Sequence, residues 1–289
     1  MKIGVLNNLR AGRGRVATER MLHALRRHPD VVHVETSSAS VVGEALAELA
    51  AAKVELMLLN GGDGTLQHVL TELLADPTPE GPGRWLPLVA PLRGGRTNMA
   101  ALDLGGSRDP VRGLHRVVDA VQRGRLAERV QRRHVLRLEL GDGEAPRYGT
   151  FFGAGMLHRA IELTHRTFPT GRAQGVLGGG LVTGLLLGRA ALGQIGGVLA
   201  PDKMQVALDH EPLEPRENLL AMATTLDRLF LRMRPFWGRE PAPLRVTFIA
   251  KGAPGIWAAA PGILRGRPAP RRVPEALGYV SRNVHEAAL

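Results

Sequence analysis

The chain has 289 residues, 44% of them apolar and 22% charged, which is enough apolar material to fill a core and excludes intrinsic disorder. It contains no cysteine, so a disulfide scaffold, a Cys-ligated zinc site, an iron–sulfur cluster and a thiol nucleophile are all excluded. Its 38 Lys and Arg against 27 Asp and Glu give a net charge of +11, a balance that favours nucleotides, nucleic acid or acidic lipid headgroups as partners. Only Lys2, Lys53, Lys203 and Lys251 are lysines, and the scattered arginines are equally compatible with a compositional bias. At about 150 residues per domain the length predicts two domains.

Lys2–Asn7 reads as a short buried strand ending in Asn7-Asn8. Val16–Arg27 follows with helical periodicity at Met21, Leu22 and Leu25, then a strand over Val31–Thr36 and an alanine-rich helix over Ser40–Ala52. Val54–Leu59 is apolar throughout, as expected of a strand covered on both faces. A glycine turn over Gly61–Gly64 leads into a helix from about Thr65 to Leu74, followed by a Pro/Gly loop over Pro77–Gly83. Leu86–Ala90 is the next strand, followed by a second glycine turn over Arg93–Arg96 and another helix. This alternation predicts an α/β fold with a parallel sheet through about residue 125.

The pattern changes near Arg129, which predicts a first domain over 1–128 and a second over 129–289. Val135–Leu140 and Tyr148–Phe152 flank a turn at Asp142-Gly143 and read as a hairpin. Met204–Leu208, Leu219–Thr225 and Leu244–Ala250 read as further strands, interrupted by one long helical region at about 156–195. The second domain is therefore expected to be mainly antiparallel and β-rich. Val176–Gly188 is its most apolar stretch, and it is shorter than the roughly 20 residues that span a bilayer, so no transmembrane segment is expected. The N-terminus lacks a long apolar region with a small-residue cleavage site, and the expected location is the cytoplasm, with contact to the inner membrane surface.

The stretch VELMLLNGGDGTLQHVL, residues 54–70, carries the chemistry. Glycines admit an anion close to the backbone, and the amides and dipole of a helix start favour negative charge. Asp63 belongs in such a site when a divalent cation stands between it and phosphates, and Thr65 can cap the helix or touch a phosphate oxygen.

Residues 61–65 resemble the GGDGT signature of the diacylglycerol kinase catalytic domain, shared with sphingosine and ceramide kinases and with NAD kinases. Other segments are similar to the lipid-kinase branch, in the same order. They are Asn7-Asn8 with Ala11-Gly12, Thr36, Pro91–Asn98 with Gly95 and Asn98 matching, and the glycine-rich Phe152–Met156. The resemblance implies transfer of the ATP γ-phosphoryl group to a hydroxyl of a diacylglycerol-like lipid, with Mg²⁺. It assigns Gly61, Gly62, Gly64 and Thr65 to the phosphates, Asp63 to catalysis through metal, and Asn7, Asn8, Gly12, Thr36, Gly95 and Asn98 to the nucleotide. Asp227-Arg228-Leu229 resembles an Asp-Gly-Leu element that can hold a structural Mg²⁺, which makes Asp227 a second metal candidate. ATP and a lipid at the membrane surface are the implied partners, a homodimer is allowed, and nucleic acid is not expected. NAD kinase-type phosphorylation and nucleotide binding without efficient catalysis are the alternatives.

This chain departs from the family pattern at Leu9, Gln67-His68 and Arg96, where Pro, Asn-Glu and Thr are usual. The late Asp-Gly-Glu that supplies the general base in the lipid-kinase branch is not found before Leu289. Two look-alikes, Asp142-Gly143-Glu144 and Asp209-His210-Glu211, each read as turns. Ten scattered histidines form no metal spacing; His158 and His165 read as a solvated face. The aromatic spot Pro235–Gly238 suits either a membrane interface or a loop folded back on the core.

Overall fold

A computed structural model describes residues 1–11, 15–75, 85–141, 143–159, 200–267 and 275–289. The chain divides into two compact units, Met1–Thr150 and Phe151–Leu289.

The first unit holds β1 (Ile3–Asn8), α1 (Arg15–Leu25), β2 (Val32–Thr36), α2 (Val42–Ala51), β3 (Leu56–Gly61), α3 (Asp63–Leu74), β4 (Leu88–Arg93), α4 (Met99–Asp103) and α5 (Pro110–Gln122). Its four strands run parallel in the order β2-β1-β3-β4. The two central strands are the most apolar and the most buried, because helices cover both their faces. Ile3, Val5, Leu56 and Leu58 pack with Met21 and Leu25 of α1 and Leu114 and Val118 of α5. Alternate residues turn to the opposite face, where Gly4 lies so close to Leu49 of α2 that a Cβ there would stand 2.8 Å from its side chain.

The strand expected to end at Ala90 continues to Arg93 and takes Pro91 inside it. β4 is the sheet edge, where a residue without an N–H leaves no ladder bond unmade. Helix α3 begins at Asp63, two residues before the expected start, so Asp63 stands in its first turn. Asp109 caps α5 by accepting from Val111 N–H at 3.0 Å, with Pro110 at the first helical position.

The expected hairpin forms between β5 (Leu136–Leu138) and β6 (Arg147–Gly149), and Thr71 of α3 holds it by accepting from Tyr148 N–H at 2.9 Å. Phe151 and Phe152 leave that pairing and enter β7 (Phe151–Gly155), which pairs with a strand of the second unit's sheet. One run of β-forming residues thus serves two sheets.

The second unit is antiparallel and β-rich, as expected. Its main sheet runs in the order β13-β12-β11-β7, built from β11 (Arg216–Thr224), β12 (Leu244–Ala250) and β13 (Tyr279–Val284), with β8 (Asp202–Met204) also paired to β11. A smaller sheet joins β9 (Ala207–Leu208), β10 (Glu211–Pro212) and β14 (Ala287–Ala288). The single strand expected over Met204–Leu208 is therefore two strands, β8 and β9. A helix not anticipated from the sequence, α6 (Ile256–Ile263), follows β12; its run IWAAAPGI has no amphipathic period and carries Pro261. Most of the expected helical region at 156–195, the apolar stretch Val176–Gly188, the loop Pro77–Gly83 and His165 lie outside the described residues. Among the described residues no helix is long and apolar enough to cross a membrane.

Candidate functional site

The strand order fixes where a ligand can enter the first unit. From β1 the chain crosses to β2 on one side, and from β3 to β4 on the other. The connections therefore part company beyond the C-terminal ends of β1 and β3, leaving a crevice there. The ends of both strands are polar, although the strands themselves are apolar.

Asn7 and Asn60 stand opposite each other in the β1–β3 register, and Asn60 Nδ2 donates to Asn7 Oδ1 at 2.7 Å. Both are buried, and the remaining amide atoms, Asn7 Nδ2 and Asn60 Oδ1, have no partner among the described residues. Burying such groups unpaired costs about 1–3 kcal/mol each, so the crevice keeps hydrogen-bonding capacity in reserve. Asn8 Nδ2 donates to Thr65 Oγ1 at 2.8 Å, and Asn8 Oδ1 accepts from Arg10 N–H at 2.9 Å. The loop after β1 is thereby fastened to the first turn of α3. Thr36 closes the same loop: its carbonyl accepts from Leu9 N–H at 3.0 Å, and its hydroxyl donates to Ser38 O at 3.0 Å.

The two glycine turns pack backbone against backbone. Gly95 N–H donates to Gly61 O at 2.9 Å, and a Cβ on Gly95 would stand 2.3 Å from Gly62 Cα. A Cβ on Gly94 would stand 2.3 Å from Asn60 Oδ1. Only glycine allows this approach. Gly64 differs, because a Cβ there would meet nothing within 4 Å, leaving open space beside the start of α3. Gly62 is the N-cap of that helix and offers no side-chain capping bond, so the early amides keep capacity for an anion.

Asp63 does something the sequence did not disclose. Its Oδ2 accepts from Met99 N–H at 3.0 Å and its Oδ1 from Ala100 N–H at 3.2 Å, so it caps α4 from a neighbouring helix. Asn98 precedes α4 in the left-handed conformation (φ 54°, ψ 49°), which asparagine tolerates better than most residues. Its Oδ1 accepts from Gly95 N–H and its Nδ2 donates to Gly95 O, both at 2.7 Å, which holds the second turn in shape. Thr65 does not cap α3: it lies inside the helix, buried, with its hydroxyl accepting from Asn8. The structure thus brings Asn7, Asn8, Thr36, Gly61, Gly62, Asp63, Gly64, Thr65, Gly95 and Asn98 to the same ends of the sheet. Gly12 lies outside the described residues. Asn60 and Gly94 were missed; the signal for Asn60 was a lone amide closing the apolar run VELMLL.

Asp227 belongs to the second unit. Its Oδ1 accepts from Arg245 Nη2 at 2.6 Å, while Arg245 Nη1 donates to Leu226 O at 3.2 Å and Thr225 O at 3.4 Å. The same guanidinium lies 5.5 Å from the centre of the Phe236 ring, which folds that aromatic spot back onto the protein. Among the described residues no group of three or more His, Asp or Glu converges as a metal site would require. Asp209-His210 forms the expected turn between β9 and β10, both residues at positive φ (48° and 70°). The backbone N–H groups of Glu286 and His285 hold the Asp209 carboxyl below its ordinary range.

Residues 2–127 match the model of the diacylglycerol kinase catalytic domain. The match takes in the whole parallel sheet, both glycine turns and each predicted site residue except Asp227. The chain also resembles solved structures from Bacillus anthracis str. Sterne. One, assigned as a diacylglycerol kinase, aligns with a TM-score of 0.63 at 14% identity over 99% of this chain and 85% of that one. A second, described as diacylglycerol kinases, aligns with a TM-score of 0.59 at 15% identity over 99% of this chain and 84% of that one. At such identities the likeness establishes a shared fold across both units. No curated protein matches the chain. The strand-end crevice lies within the matched residues.

Proposed function

We propose that the chain is an ATP-dependent lipid kinase that phosphorylates the hydroxyl of a diacylglycerol-like lipid at the inner membrane surface. The observation that carries this reading is the Gly61–Thr65 turn. It stands at the switch point of the sheet with the start of α3 uncapped and space open at Gly64. Such a turn suits a nucleotide's phosphate tail, whose transfer demands positioning and charge neutralisation more than covalent chemistry from the protein.

The residues present fit a triphosphate. Amides at the start of α3 suit a negatively charged ligand, because no side chain caps them, and Asn7 Nδ2 is a spare donor in the crevice. Asp63 is the carboxylate of this site, and each of its oxygens accepts one N–H and keeps a lone pair. Mg²⁺ binds through one or two carboxylates together with phosphates and water, so Asp63 is the residue that would hold it. When bound, such a cation neutralises charge on the transferring phosphoryl group. The chain's own part is to fix the two glycine turns against each other, so that Asp63 and the α3 amides are in place before substrate arrives.

The test is to incubate the full chain with radiolabelled ATP and Mg²⁺, offering diacylglycerol in mixed micelles and NAD⁺ in parallel. Labelled lipid, lost in Asp63→Asn, is the expected result. Labelled NADP⁺ with unlabelled lipid, or ATP binding with neither product, would overturn the proposal.

A further inference from the structure

We propose that residues 123–137, which lead from α5 through a short 3-10 turn to β5, are a docking strip for an anionic phospholipid surface. The proposal deepens the lipid-kinase reading and rests on it for its purpose, since it names the surface through which the enzyme would reach its substrate. The strip carries Arg123, Arg125, Arg129, Arg132, Arg133 and Arg137 against the single acid Glu128. Ala127–His134 are exposed without a break, and no regular structure covers Val130–Val135.

The arginines divide into two sets. Arg123 pairs with Asp119 at 2.8 Å, Arg125 with Glu128 at 3.0 Å and Arg133 with Asp103 at 3.2 Å, while Arg137 pairs with Glu139. Arg129 and Arg132 have no ion-pair partner among the described residues and project charge directly into solvent. The pair at Asp103 has a further role. That carboxylate is 1% exposed and ends α4, the helix whose first amides Asp63 accepts. The strip is thereby anchored to an element of the candidate site.

One exposed aliphatic stands among these charges, Val130 at 46%, and Leu140, at 44%, lies just beyond the strip. Guanidinium groups beside exposed aliphatic side chains match a membrane interface, where the charges meet lipid phosphates and the aliphatics enter the acyl boundary. Nucleic acid would also satisfy the charge, but residues 123–137 contain no Phe, Tyr or Trp, and His134 is the one ring there on which a base could stack.

Co-sedimentation of the full chain with vesicles tests this without ATP. The expected result is binding to phosphatidylglycerol-containing vesicles, weakening with salt, and little binding to pure phosphatidylcholine. The double variant Arg129→Glu/Arg132→Glu should weaken binding by about tenfold or more, and Val130→Asp by less. Both variants should phosphorylate a short-chain, water-soluble diacylglycerol at the unaltered rate. Equal binding to both vesicle types, undiminished binding by the double variant, or preference for duplex DNA over vesicles would overturn the proposal. Vesicle binding without lipid phosphorylation would support the strip and count against the kinase reading. Phosphorylation of the soluble lipid without vesicle binding would do the reverse.

Discussion

The ends of β1 and β3 in the first unit and the 225–227 turn in the second are both polar turns beside buried strands, yet they settle their polarity differently. In the second unit one guanidinium, Arg245, answers the Asp227 carboxylate and the carbonyls of Thr225 and Leu226, although the Thr225 hydroxyl has no partner among the described residues. In the first, Asn7 Nδ2 and Asn60 Oδ1 are left over, and α3 starts without a side-chain cap. A turn that closes on its own cation builds stability. One that keeps a donor and an acceptor in reserve and space at Gly64 is built to receive something.

The largest effect that separates the two turns is expected at Asp63. Replacement by alanine should lower phosphotransfer at least about 100-fold, as loss of a charge-stabilising group does. It should also lower stability by about 1–3 kcal/mol in urea unfolding, because Met99 and Ala100 N–H lose their acceptors. Intact turnover in that variant would break the contrast.

Gly95→Ala comes next. Its Cβ must displace the Gly62 backbone from 2.3 Å, which should cost about 1–3 kcal/mol and weaken nucleotide binding together with stability. In the second unit, Arg245→Met should cost about 1–2 kcal/mol, discounted for a partly exposed pair, while leaving ATP affinity in calorimetry unchanged. A drop in ATP affinity there would show that the two turns are not independent. Thr65→Val removes the acceptor for Asn8 Nδ2, and a loss of about 1 kcal/mol is expected.

The smallest effect is a pH dependence away from both turns. His28 Nε2 and His115 Nδ1 are 2.9 Å apart where the end of α1 meets α5. Desolvation, then the neighbouring His115 and Arg27, hold the His28 imidazole below its ordinary 6.5. A group with a depressed folded pKa binds more protons when unfolded, so its contribution is present above 6.5 and is lost as the pH falls through the lower native value. The melting temperature should decline slightly on acidification through that window, and His28→Gln should flatten the decline.

Much of the first unit was legible in the sequence, because glycine runs punctuate apolar strands at Gly61 and Gly94 and helical periodicity fills the intervals. The grouping of Asn7, Asn8, Thr36 and the GGDGT turn was likewise within reach, since parallel strands deliver their ends to one edge. What sequence could not give was set by tertiary closure. Asp63 caps α4 only because two glycine turns 34 residues apart touch, and Thr65 turns inward because Asn8 reaches it. The inclusion of Pro91 in a strand depends on β4 being the edge, and the pairing of Asp227 with Arg245 depends on an antiparallel register.

The account stands on where a nucleotide's phosphates lie. A crystal structure of the full chain with a non-hydrolysable ATP analogue and Mg²⁺ should show the triphosphate against the Gly61–Thr65 amides, with the cation beside Asp63. Phosphates bound at any other surface, with the early α3 amides left to solvent, would contradict it.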